Sequence, residues 1–308
     1  MLKRRVMGVT SAMALITNLL HPPPAHAEHS LMKRAALLVG AGVAFAAYCW
    51  WKRCRLAGKG SRQLTVSVSG TKAEVGARAA DHVAQMIRKI VSEQGHARVI
   101  FATGASQFEF ISELINHQGL PWAQVTAFHL DEYVGISNEH PASFRKYLRE
   151  RLFDKLSPPC AAVHYLDPSD PESYARVLAA GDIDLACIGI GENGHIAFND
   201  PPVADFNDPL LVKLVELDEA CRQQQLGEGW FPSMADVPTH AISLTVPAIM
   251  RAKTISCVVP DERKADAVLH ALTGPISTAC PASILRDHPE THMWLDSASA
   301  SRLPPGAI

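Results

Sequence analysis

The run Ile183–Ile190, IDLACIGI, is apolar at nearly every position. A strand with one wet face alternates apolar with polar residues, whereas a strand covered on both faces does not. This run therefore calls for a sheet with packed layers above and below it. Other segments fill in the pattern. LTVSVS (Leu64–Ser69) alternates as a half-buried strand, and ARVIFA (Ala97–Ala102), QVTAFHL (Gln124–Leu130), AISLTV, TISCVV and HMWL also read as strands. Between them lie helical patterns. Val75, Ala79, Val83, Met86, Ile87 and Ile90 recur at helical spacing before a stop at Gly95, and FEFISELI, SFRKYLRERLF and ERKADAVLHAL behave similarly. Strands alternating with helices predict an α/β fold: a doubly wound, mostly parallel, Rossmann-like sheet with helices on both faces, spanning residues 64–302.

Composition narrows the function. With 47% hydrophobic and 19% charged residues, the chain can fill such a core. A formal net charge of -2 supplies no basic excess, which argues against a nucleic-acid partner. The 7 cysteines form no CxxC pair, so neither a disulfide framework nor a zinc site is expected, and a reducing, cytoplasmic setting fits. Residues 1–60 stand apart. MLKRR, an apolar stretch and AHA have the layout of a signal peptide, and residues 35–51 lie within a second apolar run near the lower length for crossing a bilayer. A membrane tether, a targeting segment and translated sequence upstream of the true start are the three readings of this segment.

In a parallel sheet, ligands bind beyond the carboxyl ends of the strands. Four strand ends there carry unusual chemistry. TGAS (Thr103, Gly104, Ala105, Ser106) offers a small-residue turn and a helix start, which suit an anion; the same residues could simply cap a helix. DEY places Asp131 beside Glu132, one a candidate base and the pair equally a candidate cap. GENGHIAFND sets Asn193, His195 and Asp200 after strand-end glycines, with an imidazole able to move protons near neutrality and an acid able to orient it. DERK brings Lys264 to the first turn of a helix, as an anion ligand or as an exposed lysine. The TGAS turn is neither a Walker loop nor a GxGxxG fingerprint, so it gives nucleotide binding no support.

At these four places the sequence resembles the glucosamine-6-phosphate deaminase (isomerase) family, through ATGAS, FHLDEYVGI, GIGENGHIAFNDPP, VPTHAISLTV and the lysine of VVPDERKADAV. The related 6-phosphogluconolactonases share the fold and first loop but typically carry a GHTASLF-like stretch in place of GHIAFND. The resemblance covers most of Leu64 to about Leu295 and implies a cofactor-free aldose–ketose isomerisation with loss of ammonia from a small sugar phosphate. It assigns Asp131 as the base between C2 and C1, His195 to ring opening, and Asp200 to support of the histidine. Thr103, Gly104, Ala105, Ser106 and Lys264 fall at the phosphate site. A homo-oligomer is compatible with the resemblance, since relatives include both oligomers and monomers.

Three departures mark this chain. Asn193 stands where the family often has aspartate, and on this reading Asn193→Asp leaves turnover unchanged or raises it. Ala105 replaces a second glycine, tolerable if its φ is negative. The family's phosphate-gripping arginine has Arg222 as its nearest candidate. Two other functions compete: a sugar-lactone hydrolase that uses His195 without proton transfer at C2, and a sugar-phosphate sensor without turnover.

Overall fold

The computed structural model describes residues 63–308. The readings of residues 1–60, including membrane association through residues 35–51, lie outside the described residues. Among the described residues no helix is long and apolar enough to cross a membrane.

Strand β1 (Gln63–Ser69) leads into the long helix α1 (Lys72–Gln94). Thr71 and Glu74 form a reciprocal capping box at its start, and Gly95 at φ 82° ends it. Its buried stripe includes Val75, Ala79, Val83 and Ile87, the positions the spacing singles out. Then come β2 (Ala97–Phe101), α2 (Phe108–Asn116), β3 (Val125–His129), β4 (Asp131–Tyr133), α3 (Phe144–Arg151), β5 (Ala162–His164) and α4 (Pro171–Ala179). The second half holds β6 (Leu185–Ile188), β7 (Val212–Glu216), α5 (Glu219–Gly227), β8 (His240–Leu244), the one-turn α6 (Val246–Ile249), β9 (Thr254–Val259), α7 (Ala265–Thr273) and β10 (Glu290–Asp296).

Seven strands form one sheet in the order β1-β10-β9-β6-β2-β3-β5, all neighbours parallel. Side-chain alternation sends Ile100, Ala186, Ile188, Ile255, Cys257, Met293 and Leu295 into one apolar cluster. Val99, Phe101, Leu185, Cys187, Val258 and Trp294 enter the other. Helices α1 and α2 cover the second face, and α4, α6 and α7 the first. Two buried faces explain the continuous apolar character of the Ile183–Ile190 run.

The structure adds something the strand pattern does not reveal. AISLTV is not in the main sheet. Its strand β8 pairs antiparallel with β4 and β7 in a separate three-stranded sheet. The chain leaves β3 through Leu130 alone, whose carbonyl accepts from Leu244 N at 3.0 Å, and turns directly into this second layer. A third apolar cluster, centred on Tyr133, Phe144, Phe198 and Phe231, fills the space beneath it.

Candidate active site

From β2 the chain winds toward β3 and β5; from β6 it winds the opposite way, toward β9. The reversal leaves a crevice beyond the carboxyl ends of β2 and β6, the usual ligand position in such sheets. An open cleft lies there. It is lined by Thr103, Gly104, Ala105, Ser106, Asp131, His195 and Lys264 together with Leu130, Phe144, Ile190 and Phe198. Residues spread from 103 to 264 along the chain thus share one hollow.

Only two of the four segments are strand-to-helix joints. TGAS leads into a 3-10 turn, Ala105–Gln107, that opens α2, and DERK forms another, Glu262–Lys264, that opens α7. DEY is instead strand β4, and GENGH begins a long loop tied to the second sheet. That loop is anchored by Phe198 N to Ser243 Oγ at 3.1 Å and by Asn199 Nδ2 to Leu244 O at 2.8 Å.

The end of the cleft expected to take an anion is built from backbone. Gly104 has φ 99° and ψ 169°, a conformation L side chains rarely adopt, and its carbonyl accepts from Tyr147 Oη at 3.0 Å. Ala105 falls inside the turn and is not among the positive-φ residues, so a second glycine is unnecessary there. Lys264 is only 4% exposed. Burial lowers its pKa, while Glu228 and Glu192 work in the opposite direction. The exposed-lysine reading is thereby set aside. The preceding turn is held by Asp261 at φ 90°, whose own N–H donates to both Asp296 carboxylate oxygens at 3.2 and 3.1 Å. A non-glycine residue in that region stores strain, here at the turn presenting Lys264.

The two acids of DEY divide the candidate roles between them. Successive strand residues point to opposite faces. Glu132 accepts from Tyr133 N, Phe144 N, Arg145 N and Ser143 Oγ at 2.8–3.1 Å, so it caps the start of α3. Asp131 faces the cleft. Burial, followed by repulsion from Glu132, pushes its carboxyl up to about 8. A buried carboxyl poised near neutral pH is what proton abstraction at carbon requires.

His195 also lines the cleft, with Nδ1 2.8 Å from Asp200 Oδ1. Asp200 is fully buried. Burial would raise its pKa, but the imidazole and hydrogen bonds from His195, Asn193 and Cys221 outweigh that and hold it below its ordinary value. The imidazole ring lies directly over Gly191, where an added Cβ would come within 2.1 Å of ring carbon Cε1 and 2.2 Å of Nε2. Gly191→Ala must therefore displace the ring. Turnover should fall about 100-fold, the usual cost of roughly an ångström of misplacement, with a smaller loss of melting temperature. Steady-state kinetics beside a thermal melt will separate the two effects.

His195, Asp200 and Cys221 bring one ligand atom each within 4.8 Å of one another, a donor set zinc accepts. Their spacing is that of hydrogen bonds. The 2.8 Å between Nδ1 and Oδ1 is shorter than the roughly 3.3 Å separating two ligands on a tetrahedral zinc. Burial, then Asp200, keeps the Cys221 thiol protonated, and it donates to that carboxylate.

Arg222 is not part of the cleft. Its Nη2 donates to Met234 O at 2.7 Å and Val237 O at 3.0 Å, so the guanidinium straps the 230–237 loop and does not line the anion end. The same helix supplies cleft residues that the motifs did not reveal: Gln224 and Gln225, with Glu228 just beyond the helix, line the cleft. Gln224 accepts from Glu192 N at 2.8 Å and donates to Glu228 Oε1 at 2.8 Å, while Gln225 accepts from Tyr133 Oη at 2.6 Å. An arginine that does reach the anion end is Arg263, which shares an adjoining hollow with Lys72, Ser106 and Lys264. Its position next to Lys264 in DERK was the available signal.

Comparison with known proteins identifies the family. A family model described as glucosamine-6-phosphate isomerases/6-phosphogluconolactonase matches residues 70–215. Glucosamine-6-phosphate deaminases of Bacillus thuringiensis (strain Al Hakam) and Bacillus cereus (strain AH820) are each 38% identical over 221 residues, covering 70% of this chain and 82% of theirs. Among solved structures, a monomeric glucosamine-6-phosphate deaminase superposes with TM-score 0.68 at 31% identity, covering 77% of this chain and 99% of its own. The 6-phosphogluconolactonase of Thermotoga maritima shares the fold at TM-score 0.62 and 21% identity, covering 76% of this chain and 100% of its own. With the cleft and its convergent groups in place, the chain belongs to the glucosamine-6-phosphate isomerase/6-phosphogluconolactonase family.

Proposed function

We propose that this protein converts an amino-sugar 6-phosphate, glucosamine 6-phosphate, into the ketose 6-phosphate and ammonia without a cofactor. The observation that carries the reading is Asp131: a carboxyl facing the cleft, with its pKa raised to about 8, in a cleft it shares with a histidine backed by a carboxylate. A lactone hydrolase needs His195 to activate water and has no use for a second base aimed at carbon.

In the mechanism we infer, the phosphate sits on the Thr103–Ser106 turn against Lys264, with the sugar extending toward Asp131 and His195. His195, oriented by Asp200, moves a proton between the ring oxygen and the anomeric hydroxyl, opening the ring to the aldehyde. Asp131 takes the C2 proton, and the electron pair forms a C1–C2 double bond as the C1 oxygen gains a proton. Asp131 returns a proton to C1, leaving an imine at C2. Water adds to that imine and ammonia leaves, so substrate plus water balances ketose phosphate plus ammonia. Each general acid–base group is worth roughly 10²–10⁴-fold, enough to make cofactor-free enolisation practicable.

The test is direct. The full chain is incubated with several hexosamine 6-phosphates while ammonia is followed, and separately with 6-phosphogluconolactone while acid is followed. Ammonia from glucosamine 6-phosphate supports the reading. Acid from the lactone alone favours the hydrolase, and binding without either product favours the sensor. Lys264→Met, close in shape but uncharged, should raise KM about 10–100-fold with a smaller effect on kcat, as expected for loss of a charge-assisted phosphate contact. An unchanged KM would move the phosphate elsewhere.

A further inference from the structure

The Asn193 carboxamide sits between two carboxylates. Its Nδ2 donates to Asp200 Oδ1 at 3.0 Å and to Asp218 Oδ2 at 3.3 Å, while its Oδ1 accepts from His195 N at 3.0 Å. Two acceptors at one end and a donor at the other fix which way the amide faces. Asp218 serves a second element as well. It is the N-cap of α5, its Oδ1 accepting from Cys221 N at 2.6 Å. That helix carries Gln224 and Gln225 into the cleft wall.

We propose that Asp218 is a positioning residue for the reaction at His195: acting through the Asn193 amide, it holds Asp200 on the imidazole and ties that pair to the cleft wall formed by α5. This inference rests on the function proposed above. The charged and titratable groups gathered here are Asp200 beside the imidazole, the Cys221 thiol from α5, Asp218 at the start of that helix, and Asp131 from β4. The Asn193 amide, with donors on the side facing both carboxylates, satisfies Asp200 and Asp218 together. The sequence-based expectation for Asn193→Asp is accordingly reversed. A carboxylate at that position would meet two others at hydrogen-bond distance, which disfavours ionisation of all three.

Three variants and two readouts test the proposal. Asparagine caps helices about as well as aspartate, so Asp218→Asn leaves α5 in place. It should lower kcat about tenfold with KM and melting temperature near those of the parent, the size usual for coupling within one hydrogen-bonded network. Asn193→Asp should lower kcat by roughly 100-fold. Combining Asn193→Asp with Asp218→Asn exchanges acid and amide and should recover about tenfold of that loss. The second readout needs no substrate. The Nδ1–H proton resonance of His195, identified by its disappearance in His195→Gln, should move in Asp218→Asn. An unchanged kcat and resonance in Asp218→Asn, a loss confined to melting temperature, or a double variant no better than Asn193→Asp each overturn it. If no variant or parent releases ammonia, the proposed function fails, and the resonance still decides the positioning role.

Discussion

Asp131→Asn is expected to reduce ammonia release by about 10³–10⁴-fold while leaving binding of the sugar phosphate largely intact. Asparagine keeps the size and a hydrogen-bonding tip but cannot take a proton from carbon. Exchange of the C2 proton with solvent, followed by NMR in deuterated water, should vanish together with turnover. Retained exchange would remove Asp131 from the role of base. The same substitution has a signature in stability. Burial, with Glu132 beside it, raises the Asp131 carboxyl from 3.8 to about 8. The folded state therefore holds this proton more tightly than the unfolded chain does. The contribution to stability is complete below about pH 4 and is lost as pH rises toward 8. Removing the carboxyl should make the variant more stable than the parent at pH 8, by a few kcal/mol or roughly 5 °C or more, with the difference shrinking toward pH 4. For activity the sign is opposite: the base form accumulates as pH rises, so kcat/KM should climb through about pH 8 in the parent.

His195→Gln is expected to lower turnover of the closed-ring sugar by about 100-fold or more. Glutamine can occupy the lip of the cleft yet cannot shuttle a proton, so ring opening would fall back on the unassisted reaction in water. The open-chain amino alditol phosphate has no ring to open. It should bind the variant and the parent alike, which separates a fault in ring opening from a fault in recognition. Parental turnover in His195→Gln would reassign the Asp200–His195 pair to structure.

Most strands of the main sheet were readable because burial on both faces leaves few polar interruptions; the three-residue edge strand β5 was not. Ile183–Ile190 and TISCVV contain β6 and β9, and their flanking glycines and turns mark the crevice. The second sheet was not readable. Its β4 is three residues long and doubles as a motif, and β7 follows a polar loop with Leu214 exposed, so neither shows a strand's burial pattern. Helix α5 was hidden for another reason. CRQQQ turns polar side chains inward toward a cleft, and apolar spacing cannot register a face that is buried but polar.

Within the site, proximity along the chain revealed less than pairing across it. His195 and Asp200 lie five positions apart and do meet, and the division of labour between Asp131 and Glu132 follows once β4 is known to be a strand. Arg222 stays out of the cleft because its guanidinium is taken up by the Met234 and Val237 carbonyls, a pairing that spacing along the helix does not show. The partnership of Asn193 with Asp218 joins positions 25 residues apart, and no local pattern announces it.

A single incubation reaches the centre of the matter: full-length protein with glucosamine 6-phosphate in deuterated water, ammonia and ketose phosphate being followed together. Converging Thr103, Asp131, His195 and Lys264 on one cleft predicts equal amounts of ammonia and fructose 6-phosphate, with solvent deuterium at C1 of the product. Substrate that binds but yields no ammonia, or ammonia released without any transfer of hydrogen to C1, would contradict it.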